Sequence, residues 1–258
     1  MKRGSLYLTA YRTIVIKEIL RFSRIWVQTV LPSAITTTLY FVIFGKLIGE
    51  RIGEMGGYSY IEFIVPGLIL MAVIQNSYAN VVSSFFSTKL QHYVEELLIA
   101  PVPNWVVLTG YVSGGVARGT LVGTVVTLVS LFFTDLSVHS IGLTLLVFVL
   151  TSILFALGGF INAVYAKTFD DVSIVPTFVL IPLTYLGGVF YSIDLLPKFW
   201  QGVSLGNPVL YMVNAFRYGL LGVSDIDIFV AIAMILVFIL VLSLFSLSLL
   251  KRGVGIKK

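Results

Sequence analysis

The residue types that do most enzyme chemistry are scarce in this chain, and where they occur their spacing does not assemble a reaction centre. The two histidines, His92 and His139, fall in a charged stretch and at the end of an apolar run. Neither has a carboxylate partner at the spacing of a catalytic triad or a metal box. The acid pairs Glu95 with Glu96 and Asp170 with Asp171 read as solvated faces or protein contacts. With no cysteine, disulfides, thiolate metal sites and cysteine nucleophiles are excluded. No Gly-x-x-x-x-Gly-Lys-Ser/Thr loop is present, so nucleotide is not held by that route. The expectation is a chain with no metal site and no cofactor of its own, which is not an enzyme.

The polar residues of interest lie inside apolar runs. Arg118 stands near the middle of one, where a charge costs at least ~2.5 kcal/mol, so it should face the bundle interior, water or an acidic partner. It reads either as part of a structural ion pair or as a pathway residue. Gln75, Asn76 and Asn80 share one run and Asn162 lies in another. Such residues make interhelical hydrogen bonds or line a translocation path. Gly115, Gly119 and Gly123 recur every four residues, a stripe that lets a second helix backbone approach closely. The spacing leaves open whether that helix belongs to the same chain.

The elements that position these residues follow from composition. Hydrophobic residues make up 58% and charged residues 11%, with a mean hydropathy of +1.01. That is far from the roughly 25% charge of a soluble domain, so the chain reads as an integral, all-α membrane protein forming one membrane domain. The net charge of +5 is gathered around the ends of apolar runs, which points to lipid headgroups rather than nucleic acid. Residues 1 to 25 are too basic for a cleavable signal peptide. Six stretches are long enough to cross the ~30 Å hydrocarbon core, at about 26–47, 62–86, 105–133, 140–165, 172–192 and 227–250.

Three further segments do not span. Residues 5–25 space Leu8, Tyr11, Val15, Ile19, Phe22 and Trp26 by threes and fours opposite Thr13, Lys17, Arg21 and Arg24, as in a helix lying in the interface plane. Residues 88–100 form a second amphipathic helix, with Leu90, Tyr93, Val94, Leu97 and Leu98 on one stripe and Lys89, Gln91, His92, Glu95 and Glu96 off it. Pro101 and Pro103 end it. It reads either as a docking element for a soluble partner or as a helix resting on headgroups. Residues 193–222 are apolar but interrupted by prolines and glycines, as expected for two short helices that dip into one leaflet and return. Placing the amino terminus in the cytoplasm leaves twelve Lys and Arg inside against Lys46, Arg51, Lys198 and Arg217 outside, so both termini and residues 88–100 are expected to be cytoplasmic.

The run Phe63-Ile64-Val65-Pro66-Gly67-Leu68, then Val73-Ile74-Gln75-Asn76, then Glu95-Glu96-Leu97-Leu98-Ile99-Ala100-Pro101, resembles the second span and coupling helix of type-2 ABC exporter permeases. Further on, Leu196-Pro197-Lys198-Phe199-Trp200, Asn207-Pro208-Val209-Leu210-Tyr211 and Arg217 are similar to that family's extracytoplasmic signature. One departure is Gly110-Tyr111, where many relatives have Gly-Lys.

The resemblance implies the membrane subunit of an ATP-driven exporter in the cytoplasmic (inner) membrane. It also implies a second permease copy, two copies of a separate ATP-binding cassette subunit that binds the ATP and Mg, and an amphiphilic, glycan or lipid-linked substrate. In that frame residues 5–25 are the connecting helix, Lys89, His92, Glu95 and Glu96 couple to the ATPase, and the segment containing Pro197, Trp200, Asn207, Pro208, Tyr211 and Arg217 caps the exit. The alternative is an ATP-independent six-span carrier or channel, or a membrane-embedded transferase.

Overall fold

The computed structural model describes residues 3–255. The first helix, α1 (Arg3–Arg24), stops at Ile25, whose φ of −114° and ψ of 31° break the helical path. A continuous rod follows: α2 (Trp26–Tyr40), a π-helical stretch (Phe41–Ile48) and α3 (Gly49–Ile52). Gly53, at φ +77°, ends it. The chain then makes a short antiparallel hairpin, β1 (Glu54–Met55) with β2 (Tyr58–Ser59). Its turn residues Gly56 and Gly57 both need positive φ, at +63° and +82°. This hairpin is an addition to the all-α expectation.

The axis of the bundle is α4 (Tyr60–Leu90), whose buried residues run almost without interruption from Tyr60 to Phe86. Around it pack α6 (Asn104–Ser130) and α7 (Ile141–Tyr165). Between α4 and α6 lies the short α5 (Tyr93–Ile99). After α7 come α8 (Phe169–Val175), a π-helical turn (Pro176–Leu180) and α9 (Ile181–Leu186), which together form one rod. A 3₁₀ turn (Ile193–Leu195), α10 (Lys198–Leu205) and α11 (Pro208–Leu221) precede the last long helix, α12 (Ile228–Arg252). Among the described residues, six helical stretches are long and apolar enough to cross a membrane, namely 26–52, 60–90, 104–130, 141–165, 169–186 and 228–252.

Several boundaries differ from the sequence expectation, each for a local reason. The fifth span ends at Leu186, not near residue 192, because Gly187 leaves the helix and Gly188 sits at φ +71°. The third ends at Ser130, where the chain turns over residues 131–134. The expected amphipathic helix over 88–100 is divided. Thr88, Lys89 and Leu90 continue α4, and His92 adopts a left-handed φ of +62°. A non-glycine residue there cannot propagate a helix, so α5 restarts at Tyr93. It stops at Ile99 because Ala100 precedes Pro101 and is extended, at φ −59° and ψ 145°.

The bundle has two chemically distinct ends. At one, α1 and α5 meet the carboxyl end of α4 and α7 and the start of α6. At the other, the hairpin, the α6–α7 loop and α11 meet the start of α4.

Candidate functional site

At the first end, α5 is anchored by Val94, which is 1% exposed, while His92, Tyr93, Glu95, Glu96 and Ile99 face outward. Ile99 is 84% exposed beside the two glutamates. His92 Nδ1 lies 3.2 Å from Glu95 Oε1. Lys89, expected on the same outer face, is instead turned inward. Its Nζ donates to the carbonyls of Val164 and Ala166 at 2.6 Å and of Ala163 at 3.3 Å. It therefore caps the carboxyl end of α7, where a cation meets both orphan carbonyls and the negative end of the helix dipole.

Beside α5 stands a group that sequence reasoning missed. Glu18 of α1 is fully buried and pairs with Lys17 Nζ at 3.4 Å and Arg21 Nη2 at 3.3 Å. Ser84 donates to it at 2.5 Å and Asn80 at 3.3 Å. Arg21 in turn donates to both the carbonyl and the side-chain oxygen of Asn80 at 2.8 Å. Room for the carboxylate comes from Gly114 of α6, where a Cβ would lie 2.6 Å from Glu18 Cβ. The expected faces of α1 are thus reorganised: Ile14, Glu18 and Phe22 are buried, while Leu8, Ile16 and Leu20 are exposed. The signal in the sequence was a lone acid between Lys17 and Arg21 on one helix.

The residues singled out within the spans separate into different environments. Asn80 belongs to the Glu18 cluster. Asn76 accepts from Arg118 Nε at 3.3 Å and donates to Ser33 Oγ at 3.0 Å, linking α6, α4 and α2. None of the ion pairs found among the described residues includes Arg118, so its polar partner is an amide and not an acid. Gln75 is exposed and lines a small cavity of about 120 Å³ with Ser33 and Thr36 of α2. Asn162 lies apart, donating to the Val172 carbonyl of α8 at 3.1 Å.

The glycine stripe faces helices of the same chain. A Cβ at Gly115 would stand 2.8 Å from Val81 and 2.9 Å from Ala156, one at Gly119 would overlap Ser77 Oγ, and one at Gly123 would lie 2.5 Å from Phe148 and 2.6 Å from Val73. These neighbours belong to α4 and α7, so the stripe seats α6 between them.

At the other end, the signature residues build the α10–α11 corner. Pro197 precedes α10, and Trp200 is 45% exposed with an edge-to-face contact to Phe199. Asn207 caps α11 by accepting from Val209 N–H at 2.9 Å and donates to the Leu183 carbonyl at 2.6 Å. Pro208 takes the first helical position, and Tyr211 donates to the Leu205 carbonyl at 2.7 Å. Arg217, counted from sequence among the outer charges, is 1% exposed. It donates to the Gly188 carbonyl at 2.6 Å and the Phe63 carbonyl at 3.4 Å, with its guanidinium 3.8 Å above the Phe63 ring. Its burial follows from its helix, α11, being enclosed by α4, α7 and α12. Among the described residues, no group of three or more His, Cys, Asp or Glu side chains could hold a metal ion.

Comparison with known proteins gives this architecture a context. Residues 9–221 match the family model described as ABC-2 type transporter. The chain is 58% identical over 252 residues to the inner membrane transport permease YadH of Escherichia coli K12, covering 98% of each chain. It is 22% identical over 237 residues to nodulation protein J of Rhizobium leguminosarum bv. viciae, covering 92% of each, and shows the same identity to nodulation protein J of Rhizobium meliloti. A six-span bundle, a family match across most of its length and these relatives lead to one conclusion: the chain belongs to the ABC-2 type transporter family, as a membrane permease subunit that is not itself catalytic.

Proposed function

We propose that this chain is the inner-membrane permease of an ATP-driven exporter, and that α5 is its coupling helix. The observation that carries this reading is the free face of α5, where Ile99 is 84% exposed next to Glu95 and Glu96 on a helix anchored at Val94. An uncovered apolar side chain flanked by charges fits a polar-rimmed contact with a soluble partner. That partner is a separate ATP-binding cassette ATPase, in two copies, which holds ATP and Mg. A second copy of the permease completes the pathway, with the face bearing Gln75, Asn76 and Arg118 toward it.

In this reading α1 is the interface helix, α10 and α11 are the re-entrant pair capping the exit, and both termini are cytoplasmic. The substrate leaves the cytoplasm and is an amphiphile, a glycan or a lipid-linked molecule. Comparing envelope glycans, lipids and drug tolerance of cells with and without the protein would narrow that class.

The test is co-purification. Wild-type permease in detergent should retain the ATPase and stimulate its hydrolysis. Glu95→Lys/Glu96→Lys should lower that stimulation by roughly tenfold, from mismatched charge across the contact, while thermal unfolding of the permease is unchanged. A permease that never retains or stimulates such an ATPase contradicts the reading. Because the chain has no cysteine, Ile99→Cys and Val138→Cys report topology directly. A membrane-impermeant maleimide applied outside should label only the second.

A further inference from the structure

Between α1, the last turns of α4, α5 and α6 lies a cavity of about 520 Å³ whose chemistry is one-sided. Lys17 and Arg21 line it from α1, Ser87 and Thr88 from α4, Tyr93 from α5 and Tyr111 from α6, and no carboxylate belongs to its wall. The nearby acid, Glu18, is fully buried and shared by both cations, so one positive charge is left uncompensated. Lys17 is held in place by the Tyr111 hydroxyl at 3.2 Å and ring at 4.8 Å, yet its side chain is 47% exposed. The Ser87 and Tyr93 hydroxyls make no hydrogen bond among the described residues.

Two cations sharing a single acid that lies outside the wall, together with free hydroxyl donors, match a phosphate group, which presents several acceptor oxygens and negative charge. The same α1 exposes Leu8, Ile16 and Leu20, apolar groups suited to acyl chains. We infer that this cavity binds the phosphate of an anionic phospholipid headgroup, holding α1 and α5 to the bundle through a lipid of the leaflet on that side. The lipid's leaflet, and only that, rests on the orientation proposed above. Basic pockets between helices are known physical hosts for such headgroups.

Purified permease in a neutral detergent is titrated with dioleoyl phosphatidylglycerol, with diacylglycerol as the phosphate-free control, following thermal unfolding and lipid retained in native mass spectrometry. Phosphatidylglycerol should raise the unfolding temperature and stay bound, whereas diacylglycerol should do neither. Lys17→Gln should weaken binding about fivefold, the effect of one cation near a headgroup. Ser87→Ala/Tyr93→Phe, which leaves the Glu18 pairs in place, should weaken it as well. Displacement of the lipid by millimolar inorganic phosphate would uphold the phosphate site and overturn the lipid as its source. Equal affinity in wild type and both variants, or equal binding of diacylglycerol, would overturn the site. No ATPase is needed, so the outcome is separate from whether α5 couples to one.

Discussion

Among the described residues, each end of the bundle buries one charge, and the two are held in opposite ways, with Arg217 Nη1 left without a partner. Glu18 is surrounded by side chains, those of Lys17, Arg21, Asn80 and Ser84, contributed by α1 and α4. Arg217 is held by backbone, the carbonyls of Phe63 and Gly188, and by the face of the Phe63 ring. Side-chain partners can change rotamer and re-pair as helices shift, whereas backbone carbonyls move only with their helix or turn. The α1–α5 end is therefore the one whose buried charge can re-pair, and the α11 end is a fixed corner; if α5 is the coupling helix proposed above, the first is where a partner would act.

That contrast can be broken by substitution. Arg217→Ala should be the most damaging, since it takes the donor from the buried Gly188 carbonyl, leaves a cavity at a fully buried site and removes a desolvated cation–π contact. The expected cost is roughly 3–5 kcal/mol, a fall on the order of 10 °C in thermal unfolding of the detergent-solubilised protein. Arg217→Lys should recover little, because a point charge cannot bridge both carbonyls. Glu18→Ala should cost about 2 kcal/mol, less than an unpaired buried charge usually does, because Lys17 and Arg21 can reach water. Glu18→Gln should cost about half that, since an amide still accepts from Ser84. If Glu18→Ala proved worse than Arg217→Ala, the contrast would be inverted.

Smaller effects sharpen the picture. Lys89→Met should lose about 1 kcal/mol as the end of α7 loses its cationic cap, visible as faster amide exchange around Val164. Arg118→Ala should be mildest for folding, about 0.6 kcal/mol for a single interhelical hydrogen bond. It should nevertheless abolish export, with Arg118→Lys keeping part of it, as read from the envelope and drug-tolerance comparison. A fully active alanine variant at normal abundance would remove Arg118 from the pathway.

Much of the scaffold was legible before any coordinates, because a membrane demands long uncharged runs and these are bounded by visible charges. The six spans follow from residue type and spacing. What was not legible depended on partners far away in sequence. Glu18 reads as one polar residue on a basic helix until Asn80 and Ser84, some sixty residues on, are brought against it. Arg217 reads as one more outer charge in a broken apolar segment until α4, α7 and α12 enclose its helix. Lys89 belongs by periodicity to an amphipathic helix, but the left-handed turn at His92 detaches it from α5 and leaves it facing the end of α7.

The most direct test of a responsive α1–α5 end and a fixed α11 corner is hydrogen–deuterium exchange on the permease–ATPase complex with and without bound nucleotide. The account predicts that nucleotide changes exchange in α1 and α5 while residues 208–221 of α11 stay equally protected in both states. Altered protection of α11 with α1 and α5 unchanged would contradict it.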